Sequence, residues 1–140
     1  MALLLGPFLL LMSKFIIQVN GPAYGTSASV NALRFTQAAL MGGHQVVCVF
    51  FYQDGVYNST DFSLPASDEY DVVEHWQQLA VQHRVPLVNC VSAALRRGIV
   101  SEQDANENAL NHWNVSQSFI MGGLGELITS IESADRLISF

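Results

Sequence analysis

The sequence predicts a single α/β domain: a doubly wound sandwich with a five-stranded, mostly parallel sheet and helices on both faces. Three observations carry this expectation. Apolar runs rich in β-branched residues alternate with segments of helical periodicity along the whole chain. The chain has 140 residues, half of them hydrophobic, which suits one substantial core and needs no second domain. It contains no internal repeats and no low-complexity tract that would interrupt that alternation.

The elements follow in order. Residues 1–11 are apolar but lack a positive leading region, are interrupted by Gly6-Pro7 and are too short to span a bilayer. They read as an extension upstream of a natural start at Met12, which leaves residues 12–140 as the domain. Residues 15–20 and 45–52 are β runs, separated by a segment in which Ala28, Ala32, Phe35 and Ala39 recur at helical spacing, and Gly42-Gly43 closes that helix. Together they make a βαβ unit. Residues 53–67 form a long connection carrying Asp54-Gly55, Asn58-Ser59 and Leu64-Pro65, with Val56, Tyr57, Phe62 and Leu64 suited to an interface. A helix is expected over residues 68–83, with Val72, Val73, Trp76, Leu79 and Ala80 on one face and acidic residues in its first turn.

A third strand is expected over residues 85–91. Ser101 then caps a helix reaching about Trp113, Phe119-Ile120-Met121 make a short fourth strand, and residues 122–125 turn into a helix over 126–133. Residues 136–140 close the sheet.

Twelve acidic and six basic side chains give a formal charge of −6, which opposes direct binding of a nucleic-acid backbone by this chain. The acidic residues, concentrated between Asp54 and Glu74 and between Glu102 and Glu107, mark solvated faces and helix starts, and their field also suits a basic protein partner. Two cysteines 42 residues apart make neither a disulfide framework nor a zinc site, and a reducing, cytoplasmic setting follows. Asn58-Ser59-Thr60 and Asn114-Val115-Ser116 match the glycosylation tripeptide, a pattern without meaning in that setting.

Cys90 is the most informative residue. It ends the apolar run from Val85, and reactive groups in open α/β sheets gather just beyond the strands' carboxyl ends. A helix start after it, and Arg96 and Arg97 a few residues on, would favour the thiolate. The alternative is a buried, inert cysteine that fills space. Cys48, flanked by apolar residues within its strand, is read as such a filler. Gly21-Pro22-Ala23-Tyr24-Gly25-Thr26 occupies a phosphate-binding position but has neither the dinucleotide nor the Walker spacing; it reads as a turn needing Gly25 at positive φ, with Thr26 or Ser27 as helix cap. His44, His75, His83 and His112 form no metalloprotease motif and pair with no obvious nucleophile, and the carboxylates support no two-carboxylate hydrolase. Trp76 and Trp113 read as anchors of helices to the sheet or to a partner.

Several blocks together resemble the TusD branch of the DsrE-type sulfurtransferase family. They are Gly21 to Thr26, Val49 to Asn58, Ser63 to Glu69, Gly123 to Leu127, Asp135 to Phe140 and, most specifically, Cys90-Val91-Ser92-Ala93-Ala94-Leu95-Arg96-Arg97-Gly98. The likeness runs from Met12 to Phe140; the upstream extension departs from it. The resemblance implies a DsrE-like fold and a Cys90 that carries sulfane sulfur as a persulfide, in a relay ending in 2-thiolation of a transfer-RNA wobble uridine. It further implies a TusA-like donor, a TusE-like acceptor, and assembly with TusB-like and TusC-like subunits as a dimer of heterotrimers. No metal or organic cofactor is implied. Arg96 and Arg97 are candidates to stabilise the anionic persulfide, or are simply solvated. Competing functions are a non-catalytic scaffold subunit, a DsrE-type subunit of sulfur oxidation, and a flavodoxin-like flavin or nucleotide module.

Overall fold

A computed structural model describes residues 11–140; the expected start at Met12 falls within it, and residues 1–10 of the expected extension lie outside the described residues. Five strands form one sheet: β1 (Lys14–Val19), β2 (Gln45–Phe51), β3 (Leu87–Cys90), β4 (Phe119–Gly122) and β5 (Arg136–Ser139). Five helices connect them: α1 (Ala28–Met41), α2 (Val72–His83), α3 (Val91–Arg96), α4 (Glu102–Glu107) and α5 (Leu124–Glu132). A 3-10 helix, Gln53–Ser59, follows β2.

The strand order is β4-β3-β2-β1-β5 and every pairing is parallel, so the sheet is more uniform than the expected mostly parallel one. From β1 to β4 each crossover steps one strand in the same direction, and right-handed crossovers therefore put α1 and α2 on one face. The β4-to-β5 connection returns across the whole sheet, which places α5 on the other face. Side chains on β2 confirm the two layers. Phe51 meets Trp76 of α2 edge to face, with ring centroids 5.3 Å apart, whereas Cys48 and Phe50 border a small cavity with Leu127 and Ser130 of α5. Burial of both faces explains why β2 and β3 read as continuous apolar runs.

Several boundaries differ from the sequence expectation. The helix expected over 68–83 starts at Val72, because Asp71 caps it by accepting a hydrogen bond from the Glu74 amide at 3.0 Å. The helix expected to reach Trp113 stops at Glu107. There Leu110 N donates to Ala105 O and Ala109 N to Asn106 O around a left-handed Ala109, φ +55°, a Schellman ending that no glycine announces. The turn expected over residues 122–125 is shorter: Gly123 caps α5, which begins at Leu124.

The connection expected to be irregular is folded in its first half. Val56, Asn58 and Ser59 are wholly buried; of the four apolar residues expected at an interface, Tyr57 is 38% exposed and Phe62 and Leu64 are strongly exposed. Gly55 makes this possible, since a Cβ there would overlap the Val19 carbonyl at the end of β1.

Candidate functional site around Cys90

The chain passes from extended backbone at Cys90 (φ −65°, ψ 113°) directly into α3 at Val91, with no loop between strand and helix. Cys90 is thus the last residue of β3, and its Cα partner across the ladder is Gly122, the last residue of β4. The chain leaves β3 into α3, which packs on the 3-10 segment, and leaves β4 into α5 on the opposite face. The cysteine therefore stands at the carboxyl rim of the sheet, where the chain leaves adjacent strands toward opposite faces, whereas the strand order itself reverses between β1 and β5.

Neighbouring side chains fix the direction of the thiol. Asn89 reaches Ser59 of the 3-10 segment, and Val88 borders the cavity under α5, so strand alternation turns Cys90 toward the α5 side. On that side Gly122 leaves space that Glu126 fills. A Cβ at position 122 would lie 2.6 Å from Glu126 Oε2 and 2.7 Å from Val88 Cγ1.

Outside this wall runs a cleft of about 690 Å³, with Val91, Gly122 and Gly123 at its inner end and Trp113, Phe119 and Ile120 along its apolar side. Cys90 does not line the cleft and is only 3% exposed; its neighbours along the chain and across the ladder do. The sulfur is one residue behind the surface.

Arg96 and Arg97 lie at the far end of α3 from Cys90. Arg97 is engaged there: its Nε donates to Asp54 Oδ1 at 2.8 Å and its Nη1 to the Ala93 carbonyl at 3.0 Å. Arg96 is exposed, and among the described residues no hydrogen bond or ion pair joins either arginine to Cys90. The structure thus brings Arg97 to the 3-10 segment rather than to the sulfur.

Sequence reasoning missed the polar network beneath the site. Asn89, fully buried beside Cys90, donates to Ser59 Oγ at 2.6 Å, and Ser59 Oγ donates to Val56 O at 2.7 Å, while Asn89 Oδ1 has no partner. Nearby, Trp76 Nε1 donates to Ser29 Oγ at 2.9 Å, Ser29 Oγ donates to Asn58 Oδ1 at 2.6 Å, and the Asn58 amide donates to the Gly55 and Gly21 carbonyls. These bonds fasten the 3-10 segment over the carboxyl ends of β1, β2 and β3. The one available signal was an asparagine inside an otherwise apolar strand, which must find partners when buried.

The remaining candidates fall elsewhere. Cys48 is a free, buried thiol whose pKa is pushed up by burial, partly offset by Ser130. Gly25 adopts φ +96°, as expected of the turn before α1; Ser27 stands at the N-cap but its side chain makes no capping hydrogen bond, and Thr26 Oγ1 accepts from the Ala28 amide at 3.3 Å instead. His44 Nδ1 accepts from the Ser13 amide, and His75 stacks on Tyr70. Trp76 is fully buried against the sheet, and Trp113 is 42% exposed in the cleft. Among the described residues no group of three His, Cys, Asp or Glu side chains is placed to hold a metal, and no helix is long and apolar enough to cross a membrane.

Fold and site together define an open, all-parallel α/β sandwich with a cysteine at the carboxyl end of a strand, on the rim where such sheets gather reactive groups. The model of the DsrE/DsrF-like family matches residues 13–140, and the chain belongs to that family. Among its relatives, a protein of Aliivibrio fischeri named sulfurtransferase TusD homolog is 46% identical over 122 residues, covering 87% of this chain and 94% of the relative. One of the same name from Vibrio parahaemolyticus is 45% identical over 126 residues, covering 90% and 96%. These names support a sulfurtransferase role. The crystal structure of the E. coli ychN protein superposes with a TM-score of 0.74 at 24% identity, covering 92% of this chain and all of that one, a likeness of fold.

Proposed function

We propose that this chain is a sulfur-carrying sulfurtransferase that works through a persulfide on Cys90. The Cys90 thiolate attacks the outer sulfur of a donor cysteine persulfide; a new S–S bond forms, the donor's S–S bond breaks, and the donor departs as a thiolate. An acceptor thiolate then attacks the outer sulfur on Cys90 in the same way and restores the thiolate. The observation that carries this reading is the position of Cys90 at the carboxyl end of β3, with Val91 and Gly122 beside it lining the cleft. Because Cys90 is only 3% exposed, loading requires the wall formed by Val91, Gly122 and Gly123 to open.

The finer assignment extends the resemblance of the sequence blocks around Cys90: a TusA-like donor, a TusE-like acceptor, and a relay that ends at the wobble uridine of a transfer RNA handled by other proteins in the cytoplasm. Assembly with TusB-like and TusC-like subunits as a dimer of heterotrimers belongs to the same reading, and apolar side chains left uncovered favour association with a protein partner. Leu124, Ile128 and Ile131 recur at helical spacing on the outer face of α5 and are all exposed, and Phe62 and Leu64 project from the connection after β2.

The burial of Cys90 favours one competing reading, a scaffold subunit that carries no sulfur. Incubation with a persulfide-loaded donor followed by intact-mass measurement separates the two. A carrier gains the mass of one sulfur, reversibly with reductant, and Cys90→Ser gains none. An adduct retained in Cys90→Ser, or none on the wild-type chain, removes Cys90 from the mechanism.

A further inference from the structure

We propose that the cleft beside β4 is a docking groove for an extended, cationic segment of a partner protein. We further propose that this segment brings the exchanging sulfur to Cys90, a part that rests on the sulfur-carrier reading above.

The shape follows from the sheet order. Among the described residues β4 is an edge strand, paired with β3 on one side and with no strand on the other. Only Phe119 and Gly122 are buried in it, and Ile120 is 55% exposed. An edge of this kind accepts an extended peptide through its free backbone groups, with side-chain pockets beside it. The cleft supplies those pockets, its apolar side built by Trp113, Phe119 and Ile120. It also supplies the destination, because β4 ends at Gly122, across the ladder from Cys90.

Charge selects the occupant. Glu102, Asp104 and Glu126 line the cleft, and none of the six Lys and Arg side chains of the chain does. Asp104 is engaged by Ser101, which donates to it at 2.7 Å. Glu102 and Glu126 are exposed, and among the described residues neither side chain has a hydrogen-bonding or ion-pair partner. An anionic segment would meet two uncompensated carboxylates in the groove. A Lys- or Arg-bearing one would pair with them and be steered there. Sulfur moves as before: the segment's persulfide gives its outer sulfur to Cys90, and the segment leaves as a thiolate.

The test uses the full chain and two fluorophore-labelled peptides of equal length, one with lysines and one with glutamates flanking a central serine. Anisotropy should show that the lysine peptide binds, that added salt weakens it, and that the glutamate peptide binds at least about tenfold more weakly. Glu102→Lys with Glu126→Lys should abolish or reverse that preference, while Glu132→Lys, an exposed charge outside the cleft, should preserve it. If the double reversal fails to fold, Glu102→Gln with Glu126→Gln should still erase most of the difference. Equal binding of the two peptides, indifference to the cleft substitutions, an equal effect of Glu132→Lys, or a groove closed by a second copy of the chain would each overturn the proposal.

Replacing the central serine with a cysteine persulfide then reads transfer. Peptides that dock as stated but load Cys90 in neither case would defeat the sulfur-carrier reading and leave the groove standing. Cys90 loaded by glutathione persulfide, with neither peptide docking, would defeat the groove and leave the carrier.

Discussion

Cys90 and Gly122 face each other across the β3–β4 ladder, each the last residue of its strand. The pairing has two consequences. It places the thiol where the chain leaves adjacent strands toward opposite faces of the sheet. It also puts a residue without a side chain beside the sulfur, and the Glu126 carboxylate and the Val88 methyl occupy the space a Cβ would take.

Gly122→Ala should therefore disturb the site and the fold together. Glu126 is exposed and can swing away, but Val88 is buried in the sheet and cannot. Overpacking of this kind costs about 1–3 kcal/mol. The urea midpoint should fall and the rate at which a thiol reagent labels Cys90 should change; a variant with unaltered midpoint and labelling rate would show that the space beside Cys90 is not tight.

The division between what the sequence revealed and what it hid has a physical basis. All five strands were legible, because each is a short apolar run bounded by turn residues or helical periodicity. Cys90 was placed at the rim by the same logic. The topology around it was not, since nothing local in Phe119 to Gly122 says that β4 lies beside β3 while β5 crosses to β1. The fate of Arg97 was equally hidden: its partner Asp54 is 43 residues away and meets it only through the buried 3-10 segment. The end of α4 escaped because its left-handed residue is an alanine.

That alanine yields a second prediction. An L-residue in the left-handed region costs about 1–2 kcal/mol, whereas glycine there loses only the about 0.4–1 kcal/mol of extra unfolded-chain freedom. Ala109 is exposed and lies far from the sheet's core, so Ala109→Gly should raise the melting temperature without affecting sulfur loading. A lowered melting temperature would contradict the Schellman ending of α4.

The Arg97–Asp54 pair should contribute to stability more than to chemistry. The Asp54 side chain is 59% exposed and that of Arg97 26%, so solvent screens the pair and a double-mutant cycle should give a coupling of about 0–1 kcal/mol. Arg97→Ala also removes the bond to the Ala93 carbonyl and should loosen the contact between α3 and the 3-10 segment. Sulfur loading of Cys90 in a folded Arg97→Ala protein should stay within about twofold of the wild type; a much larger loss at unchanged stability would mean that the guanidinium acts on the persulfide.

Cys48 gives the last prediction, and its sign follows from burial. The folded state holds the Cys48 proton more firmly than the unfolded chain does, because burial under α5 disfavours the thiolate more than the Ser130 contact favours it. A raised folded pKa means that the stabilising contribution is complete below the ordinary thiol value of 9.0 and is lost as pH rises through the higher folded value. Tyr24 is shifted upward as well, first by burial, but it is present in both proteins and cancels in a comparison. Cys48→Ala should therefore be less stable than the wild type at neutral pH, by about 1–2 kcal/mol for a small buried group. Above pH 9 the two urea midpoints should converge as the wild type loses what the variant never had. Sulfur loading at Cys90 should persist in the variant at neutral pH. Midpoints that run parallel through the alkaline range would mean that the thiol is not held protonated by the fold, and lost loading in a folded Cys48→Ala chain would give this cysteine a part in transfer.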